Sequence, residues 1–284
     1  MFSTTTRISF SSFSQVRSLA SLACDVYPAT NTSISTPSNL IVIHGYLGSK
    51  MNWKTMLKRP EYSSMNTYCI DLPNHGNSPH IEPASYDTMI DELLQFMDEQ
   101  SIETTDILGH SLGGKLAMGF TRQYPERLSR LIVADICPIQ YPEDSVQHPV
   151  DILNEMNLSL IDSRKAADDM LALNISEPLL RGFLLQNLLF DNKTKTASWK
   201  CNLKELVSRR GDYNDFPFQA QPKINTPTLF IRGTESEFTQ SHFLPSIHEW
   251  FENLQIEAIN AAGHWPHISH PKEFASIVEQ FLKR

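Results

Sequence analysis

The chain has 284 residues, 40% hydrophobic and 20% charged, with a net charge of −8. That length is near the upper end of what one core supports, so a single domain carrying a sizeable insertion is expected. The acidic balance speaks against a nucleic-acid partner, and no apolar run approaches the ~20 residues that span a bilayer.

Residues 1–21 differ from the rest. They are rich in Ser and Thr, carry Arg7 and Arg17, lack acidic residues, and intersperse Phe2, Phe10, Phe13, Val16 and Leu19. Without the continuous apolar segment of a secretory signal, this composition predicts a mitochondrial transit peptide and a location in the mitochondrion, the matrix first. The alternative is a plain unstructured tail. Cys24, Cys69, Cys137 and Cys201 form no C-x-x-C pair, which predicts free thiols rather than structural zinc.

From Leu22 onward, strands and helices alternate. Residues 40–43 and 68–70 are short apolar runs of the buried parallel-strand type. Residues 86–100 place Met89, Ile90, Leu93, Leu94, Phe96 and Met97 on one helical face. Ile107-Leu108 precedes Gly109-His110-Ser111-Leu112-Gly113, and a helix follows until Tyr124-Pro125. Further strands are expected at 131–134, 228–231 and 256–259, with a last helix from Pro271 through Phe281. This order predicts an α/β fold with a mostly parallel central sheet and helices on both faces.

The alternation lapses between residues 138 and 223. No strand is expected there; 150–160, 164–173, 177–189 and 203–210 read as helices. The expected organisation is therefore a core of residues 22–137 and 224–284 with a helical cap, or lid, at 138–223.

The segment Gly109–Gly113 fits G-x-S-x-G, in which a serine sits on a sharp strand-to-helix turn with its hydroxyl exposed. It also reads G-x-x-x-x-G-K as far as Lys115. A phosphate loop, however, needs Ser or Thr after the lysine to ligate the metal, and this chain has Leu116. A serine hydroxyl needs a base, and His264 in Gly263-His264-Trp265-Pro266-His267 is placed after the last strand. His267 and His270 follow without a carboxylate-bearing metal motif, so neither metal nor cofactor is expected.

The base needs a carboxylate to hold its tautomer. Asp135, ending the strand after the Ser111 helix, competes with Glu235 and Glu237 after the next strand. The negative charge that develops on a substrate carbonyl needs two N–H donors. Leu112, after the serine, and Tyr46, in His44-Gly45-Tyr46-Leu47-Gly48, are the expected pair; His44 is expected to organise its loop.

Together with Asn52-Trp53 and Asp71-Leu72-Pro73-Asn74-His75-Gly76-Asn77-Ser78, these motifs resemble the α/β-hydrolase superfamily. Within it they are similar to the branch of small mitochondrial abhydrolase-domain proteins, bacterial short-chain acyl esterases and fungal ethanol acetyltransferases. The resemblance covers the chain after its N-terminal segment and departs from the branch at Pro73. It implies an α/β-hydrolase fold, Asp135 as the acid, and an acyl-Ser111 intermediate. The implied substrate is a small acyl ester or an acyl-CoA, with water or an alcohol such as ethanol as the acceptor. A non-catalytic binding protein on the same scaffold is the competing expectation.

Overall fold

The computed structural model describes residues 21–31, 37–142, 144–191 and 193–284. Of the segment read as a transit peptide, all but Ser21 lies outside the described residues.

In chain order the elements are β1 (Cys24–Tyr27), β2 (Ser38–Ile43), β3 (Met65–Ile70), α1 (Tyr86–Glu99), β4 (Thr105–His110), α2 (Leu112–Gln123) and β5 (Leu128–Ala134). Next come α3 (Asp144–Glu155), α4 (Arg164–Leu171), α5 (Pro178–Leu184), β6 (Leu188–Asp191), β7 (Thr196–Trp199), α6 (Leu203–Ser208) and α7 (Arg210–Asn214). The chain closes with β8 (Thr228–Gly233), α8 (Leu244–Trp250), β9 (Leu254–Ile259), α9 (Pro266–Ser269) and α10 (Pro271–Leu282).

Seven strands form the central sheet in the order β1-β3-β2-β4-β5-β8-β9. Every pair in it is parallel except β1 with β3. Alternate residues of each strand feed opposite faces, as the two-residue period requires. Ile41, Ile43, Ile107, Leu131 and Val133 join one buried layer with α1 and α2. Leu40, Val42, Leu108, Ile132 and Leu229 join the other, against Phe274 and Val278 of α10. Each such side chain contributes roughly 1.5–3 kcal/mol of burial, so the β4–α2 and β5–α3 junctions are held from both sides. Helix α1 begins where Ser85 Oγ accepts the Thr88 N–H at 3.2 Å, and it buries Met89, Ile90, Leu93, Phe96 and Met97 of the expected face, with Leu94 half-buried at its edge.

The structure corrects the sequence expectations between β5 and β8. The expected helix at 177–189 runs as α5, tightens to a 3₁₀ turn at Leu185–Asn187 and stops there, and β6 and β7 form an antiparallel hairpin where no strand was expected. Two side chains account for this. Asn187 Nδ2 donates to Leu184 O at 3.4 Å, capping the helix end. Asp191 Oδ1 accepts the Lys193 N–H at 2.7 Å, an Asx turn that reverses the chain. The expected helix at 203–210 divides into α6 and α7. The edge strand β1 was also missed; its half-exposed, charged pattern carries little apolar signal. Among the described residues, no helix is long and apolar enough to cross a membrane.

Candidate active site

The site is built where β4 turns into α2. Ser111 has φ 53 and ψ −119, a strained conformation that costs about 1–3 kcal/mol and persists only when its surroundings impose it. The flanking glycines are what permit it. A Cβ on Gly109 would stand 2.3 Å from Gly113 O, and one on Gly113 would stand 2.5 Å from His44 O.

His264, on the loop between β9 and α9, meets this turn. Its Nε2 lies 3.1 Å from Ser111 Oγ, and its Nδ1 lies 2.8 Å from Asp135 Oδ2. With Nδ1–H donating to the carboxylate, Nε2 is left to accept the serine proton.

Asp135 follows β5, is 1% exposed and itself adopts a positive φ of 55. Its Oδ1 accepts from Gly233 N and from Thr239 Oγ1, both at 2.8 Å. Its Oδ2 accepts from Ser236 Oγ as well as from His264. Burial would raise its pKa, but the bonds from His264, Ser236 and Gly233 outweigh it and hold the carboxyl below its ordinary range. Glu235 and Glu237, the competing carboxylates, are exposed. Their loop instead contributes Ser236 and Thr239, loop hydroxyls whose pairing with Asp135 leaves no local signal in the sequence. The same loop lays Phe238 against the His264 ring, with centroids 4.1 Å apart.

Tyr46, on the turn after β2, lines the same cavity as Ser111, and Leu112 is the first residue of α2. Among the described residues neither N–H is taken by a protein acceptor. His44 does organise its loop: Nδ1–H donates to Gly45 O at 2.8 Å and Nε2 accepts the Leu72 N–H at 3.0 Å. Burial lowers its pKa to about 4, so the ring stays neutral and keeps that acceptor. His75 was not singled out from sequence and works likewise, accepting the Leu47 N–H at Nε2, 3.2 Å away.

Ser111 and His264 open into a cavity of about 150 Å³. Its apolar walls come from Pro149, Leu180, Phe183 and Leu184 of the segment between β5 and β8, and from Phe238 and Trp265 of the core. Of these lining residues, Phe183 and Trp265 hold their rings 5.6 Å apart.

Lys115 removes the phosphate-loop alternative. Its Nζ donates to the backbone carbonyls of Tyr213, Asn214 and Asp215 at 3.3, 2.8 and 2.9 Å, so its donors are committed to the segment between the strands. Among the described residues, no group of three or more His, Cys, Asp and Glu side chains is arranged to hold a metal ion.

A family model described as the alpha/beta hydrolase fold matches residues 39–271. The chain belongs to the α/β-hydrolase family. This α/β hydrolase is 32% identical over 251 residues to the Mus musculus protein named sn-1-specific diacylglycerol lipase ABHD11, covering 86% of this chain and 80% of the relative. It is 28% identical over 266 residues to the Saccharomyces cerevisiae protein named "Probable alcohol acetyltransferase", covering 86% and 77%. Among solved structures, a marine microorganism esterase matches with a TM-score of 0.85 and 30% identity, over 92% of this chain and 99% of that one.

Proposed function

We propose that this α/β hydrolase is a serine esterase acting on short-chain carboxylic esters and acyl thioesters through an acyl-Ser111 intermediate. The observation that carries the reading is the hydrogen-bonded series Ser111–His264–Asp135, whose first two members line an apolar cavity. Ser111 Oγ attacks the substrate carbonyl carbon as its proton passes to His264 Nε2. Asp135 stabilises the imidazolium through Nδ1–H. The Tyr46 and Leu112 amides hold the oxyanion. Collapse of the tetrahedral adduct expels the alcohol or thiol, which takes the proton from His264. A second acceptor then attacks the acyl-serine by the reverse sequence.

An apolar cavity of about 150 Å³ takes an occupant the size of benzene, which corresponds to an acyl group of roughly two to six carbons. The segment 138–223 acts as a lid in this reading, because it supplies Leu180, Phe183 and Leu184 to the cavity wall. Such walls keep water activity low, so an alcohol competes well for the acyl group. Ester formation from acetyl-CoA and ethanol is therefore part of the proposal, in keeping with the name of the yeast relative. The segment 1–21 fits a mitochondrial location. A non-catalytic scaffold would leave the strained Ser111 and the buried, four-fold hydrogen-bonded Asp135 without a use.

The test is a panel of p-nitrophenyl esters, acyl-CoA thioesters and a diacylglycerol, assayed with wild type and Ser111→Ala, with and without ethanol. We expect the highest kcat/KM at the short chains, no turnover by the variant, and ethyl ester rising with ethanol. Turnover by Ser111→Ala would refute the acyl-serine. A preference for diacylglycerol would refute the chain-length assignment, and thioester hydrolysis with no ester at any ethanol concentration would refute transfer.

A further inference from the structure

The turn that carries Tyr46 contains a strained residue held on both sides by distant side chains. Leu47 has φ 57, a left-handed conformation that a residue with a Cβ adopts only when its surroundings impose it. Its N–H donates to His75 Nε2 at 3.2 Å. His75 Nδ1–H donates to Pro73 O at 2.9 Å, so the ring presents a fixed acceptor to the turn. The Leu47 carbonyl accepts from Asn187 Nδ2 at 2.7 Å, across 140 residues of sequence.

Asn187 follows α5, inside the segment that walls the cavity, and is 3% exposed. Its amide faces two carbonyl oxygens, Leu47 O and Leu184 O, so only its NH₂ end fits there. Two more side chains tie the same regions together. Asn52 Nδ2 donates to Gln186 Oε1 at 2.9 Å, and Tyr46 OH donates to Leu206 O at 2.8 Å. The turn is thus docked onto the 138–223 segment at two points, one of them on the strained residue, and the helical turn that follows it at a third.

We propose that Asn187 is a positioning residue for the oxyanion hole, fixing the turn through Leu47 so that the Tyr46 N–H meets the developing negative charge. This rests on the acyl-serine reading above. It makes the segment over the cavity part of the catalytic geometry: when Asn187 is seated, the donor is in place. Displacement of a catalytic group by about 1 Å costs on the order of a hundredfold in rate, and a whole donor is worth about 10²–10³ in kcat. Because His75 still holds the other side of Leu47, loss of Asn187 should fall at or below the lower of these figures.

The experiment measures kcat and KM on p-nitrophenyl acetate, and the inhibition constant of a short alkyl boronic acid, which forms a tetrahedral serine adduct. Wild type is compared with Asn187→Ala and with Asn187→Leu, which retains volume without a donor; Ser111→Ala is the control. For both Asn187 variants we expect kcat to fall about tenfold to a hundredfold while KM stays within about threefold. Boronate affinity should weaken by the same factor as kcat/KM, which a purely structural role would not produce. If a folded Asn187 variant keeps wild-type kcat and boronate affinity, or only raises KM, the proposal is overturned. Activity in Ser111→Ala would instead overturn the acyl-serine reading, so the two failures are distinct.

Discussion

His110 Nε2 donates to the backbone carbonyl of His264 at 2.7 Å, so the residue before Ser111 holds the backbone of His264. The His110 ring also contacts His267 at 4.7 Å, and His267 stacks on Trp53 at 4.2 Å. Burial, aided by the neighbouring His264, lowers the His110 pKa to about 3. The ring is therefore neutral, and its single N–H is committed to this bond.

The consequence is a difference between two substitutions. His110→Gln places an amide N–H near Nε2 and should retain kcat within about threefold. His110→Phe keeps a ring but loses the donor, and should lower kcat about tenfold at little-changed KM, the worth of one hydrogen bond of about 1.4 kcal/mol. Steady-state kinetics on a short p-nitrophenyl ester distinguishes them; equal losses in both variants would show that packing, not the bond, matters.

The carboxylate assignment is separately testable by the same assay. Asp135→Asn should lower kcat by about three to four orders of magnitude, as loss of the histidine-orienting charge does elsewhere. Glu235→Gln and Glu237→Gln, on exposed side chains, should change it by less than about tenfold. Ser236→Ala should fall between, because it removes one of several bonds to Asp135. A large loss in either glutamate variant with little loss in Asp135→Asn would move the acid to the later loop.

The serine turn, the alternation of core elements and the terminal histidine were legible because each is a local pattern with one physical meaning. A small-residue turn after an apolar strand, and β-branched runs spaced by amphipathic helices, are written in neighbouring residues. What was not legible is held by distant partners. Asn187 reads as a helix residue until Leu47 O is known to lie 2.7 Å from its amide. Ser236 and Thr239 read as loop hydroxyls until Asp135 is seen between them. The β6–β7 hairpin was missed because its leucines suit helix and strand equally.

Four buried histidines make acid stability predictable. Burial lowers the pKa of His44 to about 4, of His75 to about 3 and of His110 to about 3, and puts His267 well below its ordinary 6.5. Below pH 6.5 the unfolded chain takes up protons that the folded chain refuses, so stability is full above that value and is lost as the pH falls toward 4. Each such histidine contributes a slope of up to about 1.4 kcal/mol per pH unit. Urea unfolding from pH 7 to pH 4 should show this loss. His267→Phe should reduce it by one histidine's share, since the ring stacks on Trp53 and its Nδ1 has no partner among the described residues. An unchanged slope in that variant would contradict a neutral His267.

Lys115 gives the opposite end of the pH scale. It is 1% exposed, and burial lowers its pKa from 10.5 to about 7, against the opposing pull of Asp215. Between those values the unfolded lysine holds a proton that the folded one has released. Its contribution to stability therefore rises with pH through that window, by up to about 1.4 kcal/mol per unit. The difference in unfolding free energy between wild type and Lys115→Met should climb from pH 7 to pH 10; a flat difference would mean that the buried amine stays charged.

Acyl transfer to Ser111 is the step on which the proposed function stands. Rapid mixing with p-nitrophenyl acetate, quenched in acid and followed by mass spectrometry of the digested protein, measures this directly. Wild type should show acetyl on the peptide containing Ser111, appearing with a burst of nitrophenol where deacylation is the slower step, and Ser111→Ala should show neither. An acetyl group on another residue that turns over at the catalytic rate, or hydrolysis persisting in Ser111→Ala, would contradict the account.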